Sequence, residues 1–295
     1  MDSAAGPVIE VASLTKRYKD VLAVDDVDLT VEAGQIYALH GLNGAGKTTL
    51  IRMLLGMIAP TGGSARVLGT AVSTGQRSAW SRTGYLVEAL ATYPELTVRE
   101  NLHLLARLRR LKRARQHVED IIEPLALTPY AGRRARPLSL GNLQRLALAK
   151  ALIHGPDLLI LDDPVNGLDP AGVVEIRTLL TGLARERGTT VLISSHLLSE
   201  VGRLSGRIGI LHQGRLQAEH DADSLDAHRR RHLKVTTRDD ATAHRVLRGH
   251  GYHPESGLLL ADERALARIA KSRRLAPSRR VTGSATIGKA SPEPP

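Results

Sequence analysis

The stretch Gly41-Leu42-Asn43-Gly44-Ala45-Gly46-Lys47-Thr48 decides how this sequence folds. It follows the pattern of a glycine, four variable residues and then Gly-Lys with a hydroxyl residue. Glycines let the backbone curl so that successive N–H groups converge on phosphate oxygens, while the lysine reaches the β- and γ-phosphates and the hydroxyl binds Mg²⁺. QIYALH before the loop predicts a strand, and TTLIRMLLGMI after Lys47 predicts a helix. The sequence therefore predicts a phosphate-binding loop at the start of a helix.

A phosphate loop of this kind needs a carboxylate at the end of a neighbouring strand to hold the magnesium ion. The apolar run LLILDD at 158–163 predicts a buried strand that ends in two acids. We expect Asp162 to be the metal-side carboxylate and Asp163 to position a water molecule. The alternative interpretation is that the two acids only cap the strand and have no role in metal binding. The phosphate loop favours the metal-binding interpretation.

Strands and helices alternate along most of the chain, which is typical of a parallel α/β sheet covered by helices. Besides those named, strands are predicted at 8–18, 21–31 and 189–195, and helices at 97–119, 141–153 and 171–188. Beyond Gly214, HLKVTT (232–237), a helix over 240–249, GLLLAD (257–262) and a helix over 263–274 predict a small β-α-β-α extension over 214–275. Residues 276–295 lack periodicity, and we expect them to be disordered.

Composition excludes several classes of function. The chain of 295 residues has no Cys, which rules out a disulfide scaffold, a thiolate zinc site and a cysteine nucleophile. Its net charge of +11 could indicate nucleic acid or a membrane surface as partner. However, residues 212–295 carry +6 of that charge, and the basic run at 107–116 has no interleaved aromatic residues. We therefore expect no nucleic-acid partner.

From about residue 8 to 212 the sequence resembles the ATP-binding cassette subunit of ABC transporters. The resemblance rests on GLNGAGKTT, on GYLVEALATYPELTVREN (84–101), on LSLGNLQR (138–145), on LLILDDPVNGLDP and on ISSH, in that order. It implies a P-loop NTPase cassette over 8–213, with a RecA-like parallel sheet, an antiparallel β subdomain and a helical subdomain at about 90–155. The region from 214 would then be a small C-terminal α/β appendage.

The resemblance also implies roles for the matching residues. Tyr18 would stack on adenine, Asp163 would be the catalytic carboxylate and His196 the switch histidine. Glu88 would take part in catalysis and would join Thr48 and Asp162 as a magnesium ligand. The remaining residues would bind the nucleotide within the chain or across a pair of chains: Gly41, Asn43, Gly44, Ala45, Gly46, Lys47, Thr48 and Thr49 for its own ATP, Ser139, Leu140, Gly141 and Asn142 as a signature for the partner's ATP, and Asp169 in the D-loop.

Five positions depart from the family pattern. Leu42 replaces a common proline, Leu140 a glycine, Asn142 and Glu88 glutamines, and Asp163 a glutamate. Aspartate is one methylene shorter, which shifts the carboxylate by about an ångström, and such a misplacement can cost ~100-fold in rate. ATP binding is therefore expected, while the hydrolysis rate is left open.

The cofactors implied are ATP and Mg²⁺, and the partners are a second, identical cassette and a separate transmembrane permease. The chain would lie at the cytoplasmic face of the membrane through that permease, since its apolar runs are too short to span a bilayer. Residues 88–102 resemble antibiotic, lantibiotic and bacitracin-resistance exporters in particular. The basic run at 107–116 is interpreted first as a solvated helix face and second as a permease or anionic-lipid contact.

The alternative function is a nucleotide-gated module that hydrolyses ATP weakly because of Asp163.

Overall fold

A central six-stranded sheet organises the chain in the computed structural model, which describes residues 6–73, 78–87, 92–196 and 206–221 and the backbone of three further strands. Its spatial order is Arg215–Asp221 (β10), Arg207–His212 (β9), Ile36–His40 (β3), Thr190–Ser195 (β8), Leu158–Asp162 (β7) and Thr83–Leu86 (β6). All neighbouring strands are parallel except β10, which runs antiparallel to β9. β3, β7 and β8 are buried along almost their whole length, which is why they consist of apolar runs rather than alternating patterns.

A second, four-stranded antiparallel sheet has the order Val21–Val31 (β2), Ile9–Tyr18 (β1), Gly62–Val67 (β4) and Thr70–Ala71 (β5). Both long strands match the segments predicted from sequence. Register shifts interrupt the β1–β2 pairing, and Ser13 and Asp26 adopt positive φ there. Such irregularities bend a strand. The combination of a parallel and an antiparallel sheet confirms the expected mixed α/β cassette fold.

Three helices pack against strands of the central sheet. Lys47–Leu54 (α1) packs Leu50 and Ile51 into a core shared with Tyr37, Leu39 and Leu192. Leu140–Leu152 (α4) and Pro170–Arg187 (α5) follow as predicted, and Gly188 ends α5 in the left-handed conformation. With no Phe in the sequence, aliphatic side chains fill most of this core. Within the described residues, no helix combines the length and the apolar composition that a bilayer span requires.

The prediction of a single long helix over 97–119 is wrong. The structure has two helices there, Val98–Leu108 (α2) and Ala114–Ile122 (α3), separated by a turn in which Arg110 and Arg113 adopt positive φ. The turn folds α3 back against α2, so that both can bury an apolar face, with a two-point ion pair from Arg99 to Glu119 between them. Every residue of the turn is a good helix former, so local propensity did not reveal the break. Much of the basic run thus lies in an exposed turn.

Chain contacts divide the protein into two units, Met1–Ala222 and Asp223–Pro295. The central sheet of the first unit continues to Asp221, beyond residue 213. In the second unit Arg231–Lys234 (β11) pairs antiparallel with Leu259–Leu260 (β12) and with Thr282–Ala285 (β13). β11 and β12 fall in segments predicted as strands, whereas β13 falls in the stretch expected to be disordered. The predicted helices at 240–249 and 263–274 lie outside the described residues, and the domain boundaries stay a prediction.

Candidate functional site

The candidate site lies where three neighbouring strands end. β3, β8 and β7 are adjacent and parallel, and they end at His40, Ser195 and Asp162. In open α/β sheets the carboxyl ends of the strands are where ligands bind. The phosphate loop leaves β3 at this edge, and the two acids leave β7 beside it. The fold therefore brings together groups that are more than a hundred residues apart in sequence.

The backbone of the loop depends on glycine at a defined point. Gly46 has φ +107°, and a Cβ atom built on it would collide with the carbonyl oxygen of Ala23 on β2. Gly44 also has a positive φ, of +80°, but faces open space. Ala45, between these two glycines, is held by two backbone hydrogen bonds. Its N–H donates to Leu42 O at 3.1 Å, and its carbonyl oxygen accepts from the Gly214 N–H at 2.9 Å. The curl needed for phosphate binding is thus built into the fold.

Lys47 and the start of α1 supply positive charge at the loop. The Lys47 side chain is buried, and its Nζ donates to the carbonyl oxygens of Gly41 at 2.7 Å and Leu42 at 3.2 Å. The first N–H groups of α1 follow Gly46, and no side chain caps them. A helix N-terminus of this kind favours an anion. Asn43 and Gly44 are exposed around it, and Thr48 and Thr49 are half-buried.

Thr48 and Asp162 meet at the centre of the site. The Thr48 hydroxyl donates to Asp162 Oδ2 at 2.6 Å, and the Ser194 hydroxyl donates to Asp162 Oδ1. Mg²⁺ takes oxygen ligands and is usually held by one or two carboxylates together with water and substrate phosphates. The described part of the chain has no cluster of three or more His, Cys, Asp or Glu side chains that could hold a metal by themselves. A hydroxyl beside a carboxylate next to a phosphate loop fits Mg²⁺ in its nucleotide-bound form.

Asp163 is held in an unusual conformation. Its φ is +44°, in the left-handed region that non-glycine residues rarely adopt. Its N–H donates to Ser194 Oγ at 3.0 Å, and its Oδ1 lies 3.1 Å from His196 Nδ1. The side chains of Asp163 and His196 remain 29% and 41% exposed, so both can be reached from solvent. The structure thus brings the carboxylate and the histidine predicted from sequence into contact.

His40, which the sequence analysis did not single out, ends β3 next to this pair. Burial lowers the pKa of His40, and the positive charges of Lys47 and His196 act in the same direction, while a hydrogen bond with the Ser195 backbone opposes them. In the described structure its Nδ1 is buried without a hydrogen-bond partner. The ring therefore favours the neutral form beside the phosphate loop.

The signature residues begin helix α4 and contact the segment that follows β7. Ser139 is exposed and caps α4 by accepting from the Asn142 N–H at 3.3 Å. A Cβ atom on Gly167 would collide with the Leu140 side chain, so this leucine lies against the D-loop backbone. Asp169 accepts from the Gly172 N–H at 3.0 Å and caps α5 ahead of Pro170. Serine and aspartate are preferred at helix N-caps, because their side-chain oxygens accept from the first backbone N–H groups.

One predicted site residue, Tyr18, stands apart from this group. Tyr18 ends β1 and is 43% exposed, and the Lys16 ammonium lies 5.0 Å from its ring centroid. An exposed ring at this position is available for stacking, but no contact joins it to the groups above. Glu88 lies outside the described residues.

Sequence reasoning missed two polar residues that organise the site. Ser194 holds both Asp162 and the Asp163 N–H, and its only signal was a hydroxyl at the end of an apolar strand, before His196. Gln144 is 4% exposed and donates to the carbonyl oxygens of Pro164 at 2.8 Å and Asp163 at 3.3 Å. Its signal was a glutamine amid the apolar residues of α4.

Comparison with known proteins gives consistent matches. A family model described as ABC transporter matches residues 24–166. The bacitracin transport ATP-binding protein BcrA of Bacillus licheniformis is 40% identical over 243 residues, covering 82% of this chain and 79% of that protein. The daunorubicin resistance ATP-binding protein DrrA3 of Streptomyces coeruleorubidus is 38% identical over 229 residues, covering 76% and 71%.

Solved structures agree with the fold. An ATP binding subunit of an ABC transporter superposes with a TM-score of 0.68 at 28% identity, covering 75% of this chain and 92% of that one. The dimeric bacterial ABC transporter cassette MJ0796 has a TM-score of 0.68 at 24% identity, covering 72% and 98%. At that identity the second likeness concerns the fold alone.

Proposed function

The chain belongs to the ATP-binding subunits of ABC transporters, which couple ATP hydrolysis to transport, and we propose that its hydrolytic site is the cluster at the ends of β3, β7 and β8. The observation that carries this proposal is the convergence of Thr48, Asp162, Ser194, Asp163 and His196 beside the buried Lys47. These groups supply the charge and the acceptors that phosphoryl transfer requires.

In this proposal each group acts on a defined part of the reaction. The loop N–H groups and Lys47 hold the β- and γ-phosphates. The Asp163 carboxylate orients the attacking water, and His196, hydrogen-bonded to Asp163, faces the γ-phosphate. Because its N–H is bound to Ser194 and its Oδ1 to His196, Asp163 is pre-positioned before the substrate arrives. Tyr18 would stack on the adenine.

Mg²⁺ would be held by Thr48 and Asp162, with Glu88 as a further candidate ligand. The ion supplies charge neutralisation on the phosphate oxygens. Ser194 orients the Asp162 carboxylate through the oxygen that does not face Thr48, which leaves Oδ2 for the metal side. Magnesium dependence of ATP binding tests this assignment directly.

The signature would serve a second copy of the chain. Ser139, Leu140, Gly141 and Asn142 form an exposed or half-buried helix start, whose N–H groups and hydroxyl suit an anion. The cassette MJ0796 was solved as a dimer, and one signature per chain fits a head-to-tail pair. Size measurement with and without ATP tests this pairing, and a monomer at all ATP concentrations would contradict it.

The transported substrate would be an antibiotic, a peptide or another drug-like compound, exported by a separate permease at the cytoplasmic face of the membrane. Support comes from the relatives, one described for bacitracin transport and another for daunorubicin resistance. The test is to express the chain in a sensitive host together with a membrane permease that binds it. We expect higher resistance to bacitracin or daunorubicin, lost with Lys47→Ala. Unchanged sensitivity to both drugs would contradict this substrate class.

A weakly hydrolysing, nucleotide-gated module is the second candidate, and Asp163 is the observation that favours it. The shorter side chain, with Oδ1 bound to His196, has one oxygen left for water. If geometry limits the reaction in this way, the longer carboxylate of Asp163→Glu should raise the hydrolysis rate. An unchanged rate in that variant would contradict the idea of impaired catalysis.

A further inference from the structure

The segment between the candidate catalytic carboxylate and α5 contacts helix α4 at its start and in its middle, and α5 itself contacts α4. At its start, Gln144 donates to the carbonyl oxygens of Asp163 and Pro164. In its middle, the Leu140 side chain lies against Gly167, and the space where Gly141 would carry a Cβ is 3.1 Å from Gly167 O. Beyond the segment, within α5, Glu175 Oε2 lies 2.7 Å from Arg145 Nη1. The first two turns of α4 therefore form a clamp on residues 163–175.

Gln144 is the member of this clamp that acts on the catalytic peptide. Its side chain is buried, and its amide nitrogen Nε2 lies within hydrogen-bond distance of two carbonyl oxygens of the chain that leaves β7. Among the hydrogen bonds of the described residues, Gln144 is the only donor to Pro164 O. Removing this amide would leave a buried carbonyl without a partner, and that has a free-energy cost.

Because the backbone at Asp163 is left-handed, the hydrogen bond from Gln144 helps to fix the position of the Asp163 carboxylate. A φ of +44° is strained for a residue with a side chain and persists only where the surroundings enforce it. Two bonds flank this strained residue, one from its N–H to Ser194 on β8 and one from Gln144 to its carbonyl oxygen. A peptide released on one side can relax, and the carboxylate then moves away from His196.

We propose that Gln144 is a positioning residue, which fixes the Asp163–Pro164 peptide to the helix that carries the signature. The proposal rests on the proposed role of Asp163 in hydrolysis. This contact would couple the two nucleotide sites of a pair. The N-terminus of α4 would meet the partner's ATP, and the same helix, through Gln144, would fix the position of the Asp163 carboxylate at the chain's own ATP. A displacement of α4 at one nucleotide site thus changes the geometry of the other.

A double-mutant cycle tests the proposal. Gln144→Met keeps the length of the side chain and removes its donors, and we expect it to lower kcat for ATP about tenfold with ATP affinity changed less than about twofold. In an Asp163→Ala background the same substitution should have no further effect on the residual rate, because the positioned group is gone. Gln116→Met, which removes an exposed amide bound to Asp120 on α3, is the matched control and should behave as wild type.

The outcomes are distinct. An equal fall in rate in both backgrounds would show that Gln144 supports the fold only and would overturn the proposal. A fall in ATP affinity equal to the fall in kcat/KM would overturn it as well. If Asp163→Ala alone leaves the rate unchanged, the proposed function of Asp163 fails instead. Should Gln144→Met not fold, Gln144→Asn, a shorter amide, enters the same cycle with the same expectation.

Discussion

The hydroxyl of Thr48 lies 2.6 Å from a carboxylate oxygen of Asp162, although 114 residues separate them in the chain. Thr48 lies in the first turn of α1, which follows β3, and Asp162 ends β7, two strands away from β3 in the sheet. This contact joins the proposed phosphate-binding loop to the carboxylate that we propose as a magnesium ligand.

Lys47→Ala should weaken ATP binding about 100-fold, because a charged donor to phosphate contributes on the order of 3 kcal/mol. Titration with a fluorescent ATP analogue measures the change. Lys112→Ala, which removes an exposed lysine in the turn after α2, should bind as wild type does. Tight binding retained in Lys47→Ala would refute the phosphate-loop assignment.

Ser194→Ala should weaken the Mg²⁺-dependent part of ATP binding about tenfold, since groups that orient a metal ligand typically contribute that much. Calorimetry with Mg²⁺ and with EDTA separates this part from binding of the nucleotide alone. The control is Thr178→Ala, which removes an exposed hydroxyl bonded within α5. Equal losses with and without Mg²⁺ would count against a magnesium role for Asp162.

Gly46→Ala should destabilise the fold by ~3 kcal/mol or more, because it combines backbone strain with a collision against Ala23. Gly69→Ala is the matched control: its φ of +74° gives similar strain, but nothing lies within 4 Å of the added carbon. We expect that variant to lose only ~1 kcal/mol. Urea unfolding compares the two, and equal losses would show that the collision is relieved by a small shift.

Stability should fall as the pH drops from about 6.5 to about 4, in part because of His154. Burial lowers the pKa of His154 to about 4, Arg109 acts in the same direction, and the bond to Thr83 O opposes them. In this window the unfolded chain binds a proton that the folded chain does not, so acid favours unfolding. Urea unfolding at several pH values should show a shallower dependence for His154→Gln. An unchanged slope would mean that His154 is not responsible.

The parts of the fold and of the site that could be predicted from sequence are those that depend on local sequence patterns. The glycine loop, the apolar strand ending at Asp162 and the helix ended by Gly188 all have signals within a few residues. The break between α2 and α3 has none, because Arg110 and Arg113 are ordinary helix formers and the turn is stabilised by packing of the two helices. Ser194 and Gln144 act on atoms 19 to 32 residues away, so only the folded chain reveals them.

The central claim is that this chain hydrolyses ATP with Asp163 as the carboxylate that positions water. The most direct test is the steady-state rate of phosphate release by wild type and by Asp163→Asn, together with ATP affinity and oligomeric state. We expect the variant to bind ATP as tightly as wild type, to pair in its presence and to release phosphate at least ~100-fold more slowly. Phosphate release at the wild-type rate from Asp163→Asn would contradict the account.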